Sequence, residues 1–479
     1  MANKLDIAII GAGIGGMAAA YDLAKAGNQV TIFEKEDFVG GLASGVKEPH
    51  WDWSVEMYYH HWFATDDYML GLIEELGWSD KVLFPRPFTV VYHQGKFYPF
   101  DSYLNALLFP GLGWGLNKIR FGLVGLYLRL TNDWQSREKT TVDAWMRKWA
   151  GEHVYQSMWE PIVVGKFGKH HKDVNMAWMW ARLKARTTRL GTFEGGFQAF
   201  ADLFAQRLVE SGVELNLGNG VSQVKPQAGG RLELETANGW KTFDQCLVTT
   251  SPGFLARLVP SLPESYLGSL LDLKSMGAVV LIMSLKHQLS EEGYYGYNIP
   301  KSAGFPFLAL VEHTNYVSKD NFGGEHIVYC GDYLDPDHEY FQLSKEEILE
   351  RFLPSLARIN RNFSAEWIRN TWLFRTKYAQ PVPEVNHSAN IPAIETPIKG
   401  LYFASMSQVY PWDRGTNFAV EIGRKAAGLM MTAGDQMPGE SFSKSRLVQF
   451  DGFSILQAPI QQGWSRGFNC RRAAAAQGI

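Results

Sequence analysis

Ile7-Ala8-Ile9-Ile10-Gly11-Ala12-Gly13-Ile14-Gly15-Gly16, followed by an alanine-rich stretch and then by Gln29-Val30-Thr31-Ile32-Phe33-Glu34, decides the fold of this chain. The apolar run 7–10 predicts a buried strand that ends on three spaced glycines. Gly11 suits a tight turn, Gly13 a close backbone approach to a pyrophosphate, and Gly16 close packing of helix on strand. A helix predicted over 17–26 and stopped by Gly27 turns free N–H groups and a positive dipole end toward the phosphates. Glu34 closes a second strand about twenty residues further on, where a carboxylate holds a ribose 2′-OH and repels a 2′-phosphate. Ala12, Ile14 and Gly15 complete the turn, and Lys35 follows the acid. Glycine spacing alone also marks ordinary turns; a strand, a helix and an acid in their places make it a cofactor motif. The segment therefore predicts an ADP-binding unit suited to FAD or NAD, and not to NADP.

A chain of 479 residues is too long for one core, so two intertwined or successive domains are expected. The net charge of −3, with no basic block beyond Arg471-Arg472, argues against a nucleic-acid partner. Cys246, Cys330 and Cys470 are far apart and form no C-x-x-C, so no metal knuckle or dithiol shuttle is indicated, and no metal is expected. The doublets His60-His61 and His170-His171 point their side chains in different directions, against joint ligation, and His170 between two lysines reads as a solvated loop residue. No charged n-region with an apolar stretch behind it opens the chain, so a cytoplasmic location is expected. The uncharged segment 102–117 is broken by Pro110 and glycines and is too short to span a bilayer. The apolar helix expected over 119–130, with Arg120 and Arg129, either rests on a lipid interface or packs as a cap helix on a neighbour. Peripheral membrane contact stays open.

Along the chain, Gly40-Gly41-Leu42-Ala43-Ser44 follows the Glu34 strand, where backbone lies against a bound cofactor. A helix is predicted over 66–76, capped by Asp66 and stopped by Gly77. Glu194-Gly195-Gly196-Phe197-Gln198-Ala199-Phe200 opens a helix to Ser211, and strands follow over 213–217, 221–225 and 231–236, the last turning at Asn238-Gly239. A buried strand precedes Thr249-Thr250-Ser251-Pro252, and 274–376 reads as a mixed sheet with one clear helix at 345–356. A last strand over 401–404 leads to a helix starting near Asn417. The expected class is α/β, a Rossmann-like dinucleotide-binding domain with an inserted α+β substrate and cap domain. Its parts are 1–83, the first part of the cofactor domain; 84–190, a helical aromatic-rich cap; 191–260, the second part; 261–384, the substrate domain; 385–435, the C-terminal part; and 436–479, a tail with no assigned role.

Five blocks taken together, the GAGIGG turn with Glu34-Lys35, GGLASG, EGGFQAF, VTTSP and LYFASMSQVYPWDRGTNFAVEIGRKAAGLM, resemble the FAD-dependent amine oxidase superfamily, nearest to its protoporphyrinogen oxidase and phytoene desaturase branch, over residues 3–433. The resemblance implies an FAD-dependent oxidase or desaturase. Such an enzyme moves hydride from a bulky, largely apolar substrate (porphyrinogen-, polyene- or amine-like) to flavin N5 and passes electrons to oxygen or a quinone. It places 11–16 on the pyrophosphate, Glu34 on the ribose, Gly41 and Leu42 on the ribityl side and Val221 on adenine. It brings the helix entered through Gly415-Thr416-Asn417-Phe418 to the flavin pyrimidine edge, where a helix N-terminus favours negative charge. With no Cys suited to flavin attachment near the C-terminal block, FAD is expected to be noncovalent. Gly111-Leu112-Gly113-Trp114-Gly115 lacks a preceding strand and the final glycine, so a bound NADPH is not indicated.

Two departures stand out. Ser405-Met406 replaces the Gly-Asp or Gly-Glu of many relatives, with Asp413 as the available substitute acid. Met57 through Phe63 replaces a Gly-Pro turn, and His61, Phe63 and Thr65-Asp66 resemble the G-P-H-x-F-x-T-D run of UDP-galactopyranose mutases. His61 and Tyr378 are the candidate catalytic side chains, His61 being equally readable as a hydrogen-bonded core histidine. A mutase-like enzyme acting on a nucleotide sugar without net redox stays open. It would use Arg182, Arg186, Arg375, Tyr378 and Arg414 on a diphosphate, residues that equally suit surface ion pairs. A non-enzymatic FAD-binding scaffold is the third reading.

Overall fold

Strand Asp6–Ile10 lies at the centre of a five-stranded parallel sheet, and its last four residues are buried. The structure, a computed structural model, describes residues 4–434. The order across this sheet is Glu214–Asn216, Gln29–Phe33, Asp6–Ile10, Gln245–Val248, Leu401–Phe403, all parallel. The chain leaves the central strand in one direction to reach Gln29–Phe33 and fills the other side only much later. That reversal creates a switch point at the carboxyl ends of Asp6–Ile10 and Gln245–Val248, where open α/β sheets bind ligands.

Helix Ile14–Lys25 crosses the last helix, Thr416–Gly434, at very short range: a Cβ on Gly423 would lie 2.2 Å from the Gly15 carbonyl oxygen. Helix Phe197–Glu210 covers the same face, and Phe197, Phe200 and Phe204 join Met17, Leu23 and Ile32 in one core. The predicted helix start at 17 falls short because Gly13, Ile14 and Gly15 already belong to the helix or its cap. The predicted strands at 221–225 and 231–236 form an antiparallel sheet with Gly239–Phe243.

A second sheet of seven strands holds Ser275–Leu285 between Ile368–Pro381 and His326–Leu334. Val279, Leu281 and Met283 pack with Ile348, Phe352 and Leu356 of helix Lys345–Ile359, while Ala278 and Val280 on the other face line a cavity. Cover on both faces explains why this strand reads as an unbroken apolar run. The helix starts at a capping box, with Ser344 Oγ accepting from Glu347 N at 3.1 Å and Glu347 Oε2 accepting from Ser344 N at 2.7 Å.

Residues 84–190 hold helices with a core of their own, including Met146, Tyr155, Trp159, Phe167 and Trp178. Yet Thr89–His93 and Lys96–Pro99 form a hairpin that extends the seven-stranded sheet through Gly296–Asn298. Helix Leu116–Leu130 buries Val124 and Leu128 and stacks Phe121 on Trp159, leaving Leu116, Ile119, Leu123, Leu126 and Leu130 exposed. His170 is not the solvated loop residue expected: its side chain is 19% exposed, in a turn with Asp173 3.8 Å away. Among the described residues no helix is long and apolar enough to cross a membrane, and no group of His, Cys, Asp or Glu is placed to hold a metal ion. Cys470, Arg471-Arg472 and the tail from 436 lie outside the described residues.

Candidate active site

A cavity of about 740 Å³ begins at the switch point and runs to the inner face of the seven-stranded sheet. At its first end the glycine turn behaves as three separate devices. Gly11 takes φ +111°, a Cβ on Gly16 would lie 2.1 Å from the Gly11 carbonyl oxygen, and a Cβ on Gly13 would meet nothing nearer than Gly41 Cα at 3.9 Å. Gly16 is thus glycine for packing, whereas Gly13 keeps its surface bare toward the cavity. Helix Ile14–Lys25 starts at Gly13 with no side-chain cap and no acidic residue in its first turn, so its N–H groups are left for an anion. Glu34 lines the cavity, its Oε2 accepting from Ala12 N at 2.8 Å and its Oε1 from Glu36 N at 3.1 Å. These bonds fix the carboxylate beside the turn, as an acid aimed at a ribose requires. Ile14, Gly15, Lys35, Gly41, Leu42 and Val221 share the same cavity wall. Ala12 does not; it is fully buried and acts through its N–H.

The EGGFQAF block clamps this end. Gln198 Oε1 accepts from Gly45 N at 2.9 Å and its Nε2 donates to Val39 O at 3.2 Å, so one side chain holds both flanks of the GGLASG turn. Phe197 N, at the start of that helix, donates to Glu56 Oε1 at 3.1 Å. Glu56 is fully buried, and burial pushes its carboxyl up to about 7. Sequence reasoning passed over it because one acid in SVEMYY carries no local pattern.

The inner end is aromatic. Tyr58, His60, Tyr329, Tyr333 and Tyr378 line it with Ala278, Val280, Leu308 and Val311. Tyr378 OH bonds Ser407 Oγ at 2.7 Å and accepts from Ser407 N at 3.0 Å, so it is held in place. His60 faces the cavity with its ring held by the Tyr58 carbonyl, and burial pushes it down to about 4. His61 is not on the wall. It lies between Tyr59 and Phe63, its Nδ1 is buried without a hydrogen-bond partner among the described residues, and burial, with Arg186 nearby, pushes it down to about 3. It is a half-buried histidine packed among aromatic rings off the wall, so the resemblance of 61–66 to mutases does not bring its ring into the cavity.

Three further expectations shift at the last helix. Asn417 does not line the cavity; its Oδ1 accepts from Met69 N at 3.0 Å, capping helix Asp67–Glu75. Asp66, the expected cap, accepts instead from Phe63 N at 2.9 Å. Phe418 stacks on Trp412 with rings 8° from parallel, also off the wall. Asp413 does not stand in for the missing acid either, because its carboxylate is committed to Lys166, Arg182 and Gln380. At Ser405 the chain uses a capping box with Gln408, which explains how the segment keeps its shape without that acid. Arg414, Gly415 and Thr416 do reach the cavity, and Trp62 Nε1 holds Thr416 Oγ1 at 2.9 Å. Cys246 and Cys330 are buried away from the cavity wall.

A parallel sheet with a glycine turn, an uncapped helix and a fixed acid at its switch point defines a dinucleotide-binding protein with a second, substrate-sized chamber. Residues 14–431 match the family model for flavin containing amine oxidoreductase, and the chain belongs to that family of FAD-dependent oxidoreductases. It is 31% identical over 162 residues to a 15-cis-phytoene desaturase of Capsicum annuum, a match covering 30% of this chain and 28% of that protein. It is 21% identical over 460 residues to amine oxidase [flavin-containing] A of Sus scrofa, covering 90% of this chain and 86% of the relative. An oxidoreductase from Methanosarcina mazei shares the fold with a TM-score of 0.69 at 17% identity, covering 89% of this chain and 99% of that one.

Proposed function

We propose that this protein takes hydride from a bulky, largely apolar substrate, porphyrinogen-, polyene- or amine-like, with noncovalent FAD as acceptor and oxygen or a quinone as the onward carrier. One observation carries this reading: the dinucleotide turn and the aromatic chamber open into a single cavity, so a cofactor at one end and a substrate at the other share a wall. FAD, when bound, supplies the hydride-accepting flavin ring. Gly13, the N-terminus of the first helix and Glu34 would hold its adenosine and pyrophosphate part, and Arg414 to Thr416 stand at the far side. The chain's own task at the inner end is to orient and to exclude water. Ala278, Val280, Leu308 and Val311 give an apolar wall, and Tyr378, fixed by Ser407, gives it a rigid edge. His60, on the wall, stays neutral there, which suits uncharged substrate carbon better than a proton shuttle at neutral pH.

The bare stripe Leu116, Ile119, Leu123, Leu126 and Leu130, with Trp114 91% exposed just before it, supports peripheral contact with a lipid surface from the cytoplasmic side. Lys118, Arg120 and Arg129 accompany it, and residues 102–132 contain no acid, which favours anionic headgroups. The test of the catalytic reading is anaerobic. Purified yellow protein should bleach with a porphyrinogen, a polyene or an apolar amine. Sugar-ring isomerisation of a UDP-sugar, appearing only after dithionite reduction, would overturn this reading in favour of a mutase.

A further inference from the structure

The inner end of the cavity carries more positive charge than its carboxylates answer. Lys166 and Arg182 pair with one acid, Asp413, and Arg414 follows it in the chain, its backbone N donating to Asp413 Oδ1 at 3.1 Å. Lys166 Nζ lies 3.3 Å and Arg182 Nη1 3.6 Å from Asp413 Oδ2. Gln380 Nε2 donates to Asp413 Oδ1 at 3.2 Å, and Lys166 donates to Gln380 Oε1 at 3.0 Å. Arg414 donates through Nη2 to Tyr333 OH, and its Nε is buried with no partner among the described residues. Lys166 Nζ and the Arg414 guanidinium each lie 5.3 Å from the centre of the Tyr333 ring. Asp332, the acid on the cavity wall at this end, is taken by Lys301 at 2.7 Å. Arg375, also on the wall, gives Nη2 to the Leu343 carbonyl and leaves Nε buried and unpartnered among the described residues.

Three cations therefore have one carboxylate among them, paired with Lys166 and Arg182 and only near Arg414, and a buried excess of like charge is costly unless an opposite charge joins it. Neighbouring groups record the excess. Burial would push the Tyr333 phenol up, but Arg414 and Lys166 outweigh it and bring it below its ordinary range, and burial pushes Lys166 down despite Asp413. Arg414 and Tyr333 are themselves cavity wall, with Lys166 and Arg182 behind them, so the excess faces the chamber. A cofactor diphosphate has its own receptor at the glycine turn. We propose that Arg414 and Tyr333, backed by Lys166 and Arg182, form a receptor for an oxyanion, a carboxylate or a phosphate, at one end of an otherwise apolar substrate. This deepens the reading above and rests on it, since it takes the chamber to be the substrate site. The apolar wall of Ala278, Val280 and Leu308 then receives the remainder of an amphiphile.

The test titrates the full-length, FAD-loaded protein with decanoate, decyl phosphate, decanol and decylamine by calorimetry. The anions should bind at least about tenfold tighter than the alcohol, the usual reach of a charge-assisted hydrogen bond, and the amine more weakly still. The better of decanoate and decyl phosphate identifies the oxyanion. Arg414→Gln and Arg182→Gln should each remove most of that preference. Asp413→Asn should strengthen anion binding, an opposite sign that general misfolding does not produce. Equal binding of decanol and both anions, or an unchanged preference in the two arginine variants, would overturn the receptor. So would anion binding seen only without FAD and lost on loading it, which would assign the cluster to the cofactor. Flavin content and anaerobic bleaching, read on the same samples, report separately on the oxidoreductase reading.

Discussion

Two glycines three residues apart in the same turn should fail in opposite ways when given one methyl group. In Gly16→Ala the new Cβ would stand 2.1 Å from the Gly11 carbonyl oxygen, a backbone atom with nowhere to go, so the turn must shift by about an ångström. Overpacking of that kind costs about 1–3 kcal/mol. In Gly13→Ala the nearest atom is Gly41 Cα at 3.9 Å, and Gly13 already has φ −71° and ψ 169°, a conformation open to alanine. The flavin-free protein should therefore keep its stability or gain about 0.5 kcal/mol through a stiffer unfolded chain. The same methyl points into the space a pyrophosphate needs. Losing one or two charge-assisted bonds from the helix N-terminus costs about 3 kcal/mol, or roughly a hundredfold in FAD affinity. The assay is a pair of readings: flavin absorbance per mole of protein, and thermal unfolding of the flavin-free forms, so that bound cofactor does not itself raise the melting temperature. Gly13→Ala should come out colourless and stable, Gly16→Ala destabilised. A yellow Gly13→Ala with wild-type stoichiometry would refute the assignment of the turn, and a Gly16→Ala that melts as wild type would refute the packing argument.

Glu56 is raised from 4.5 to about 7 by burial, so the folded protein holds its proton more tightly than the unfolded chain. Its contribution is complete below pH 4.5 and is lost as pH rises toward 7, by up to about 3 kcal/mol, and Glu56→Gln should flatten that part of a stability–pH curve measured by denaturant titration. His61 is lowered from 6.5 to about 3, so its contribution is present above pH 6.5 and is lost as pH falls toward 3; His61→Phe should reduce acid destabilisation while leaving flavin content unchanged. Asn417→Ala removes the acceptor of Met69 N and should cost about 1–2 kcal/mol by chemical denaturation. Leu123→Glu with Leu126→Glu should leave the melting temperature near wild type, since both side chains are exposed, yet lower cosedimentation with phosphatidylcholine–phosphatidylserine vesicles about a hundredfold. Equal sedimentation of variant and wild type would remove the lipid reading.

The parts legible in the sequence are those whose physics is local. Gly11, Gly13, Gly16 and Glu34 lie within one strand–turn–helix–strand unit; Gly16 packs on the Gly11 carbonyl, and the Glu34 carboxylate reaches no further than Ala12 and Glu36. The helix at Lys345 is as local, its capping box closing over three residues. Val221 is a longer reach, and it came from the resemblance rather than from any pattern in its own strand.

What was hidden depends on contacts hundreds of residues apart. Asn417 caps a helix 348 positions earlier, so nothing around Gly415 marks it as an acceptor, and an asparagine at a helix start reads most simply as that helix's own cap. Asp413 sits where a ribityl-binding acid would be sought, but Lys166, 247 residues away, claims it. Hydrophobic periodicity is equally blind to context: the apolar helix at 119–130 reads alike as a packed cap helix or a lipid-facing one, and only the fold shows that it buries Val124 and Leu128 and leaves Leu123, Leu126 and Leu130 exposed. Those misplacements share a direction. Asn417, Phe418 and Asp413, expected at the cofactor, brace the walls instead, while Arg414 and Arg375, read as diphosphate partners for a rival chemistry, both lie on the cavity wall. A site whose cofactor does the redox step has few residues of unmistakable type, so its specificity is carried by surplus charge and apolar shape, and both exist only once the chain is folded.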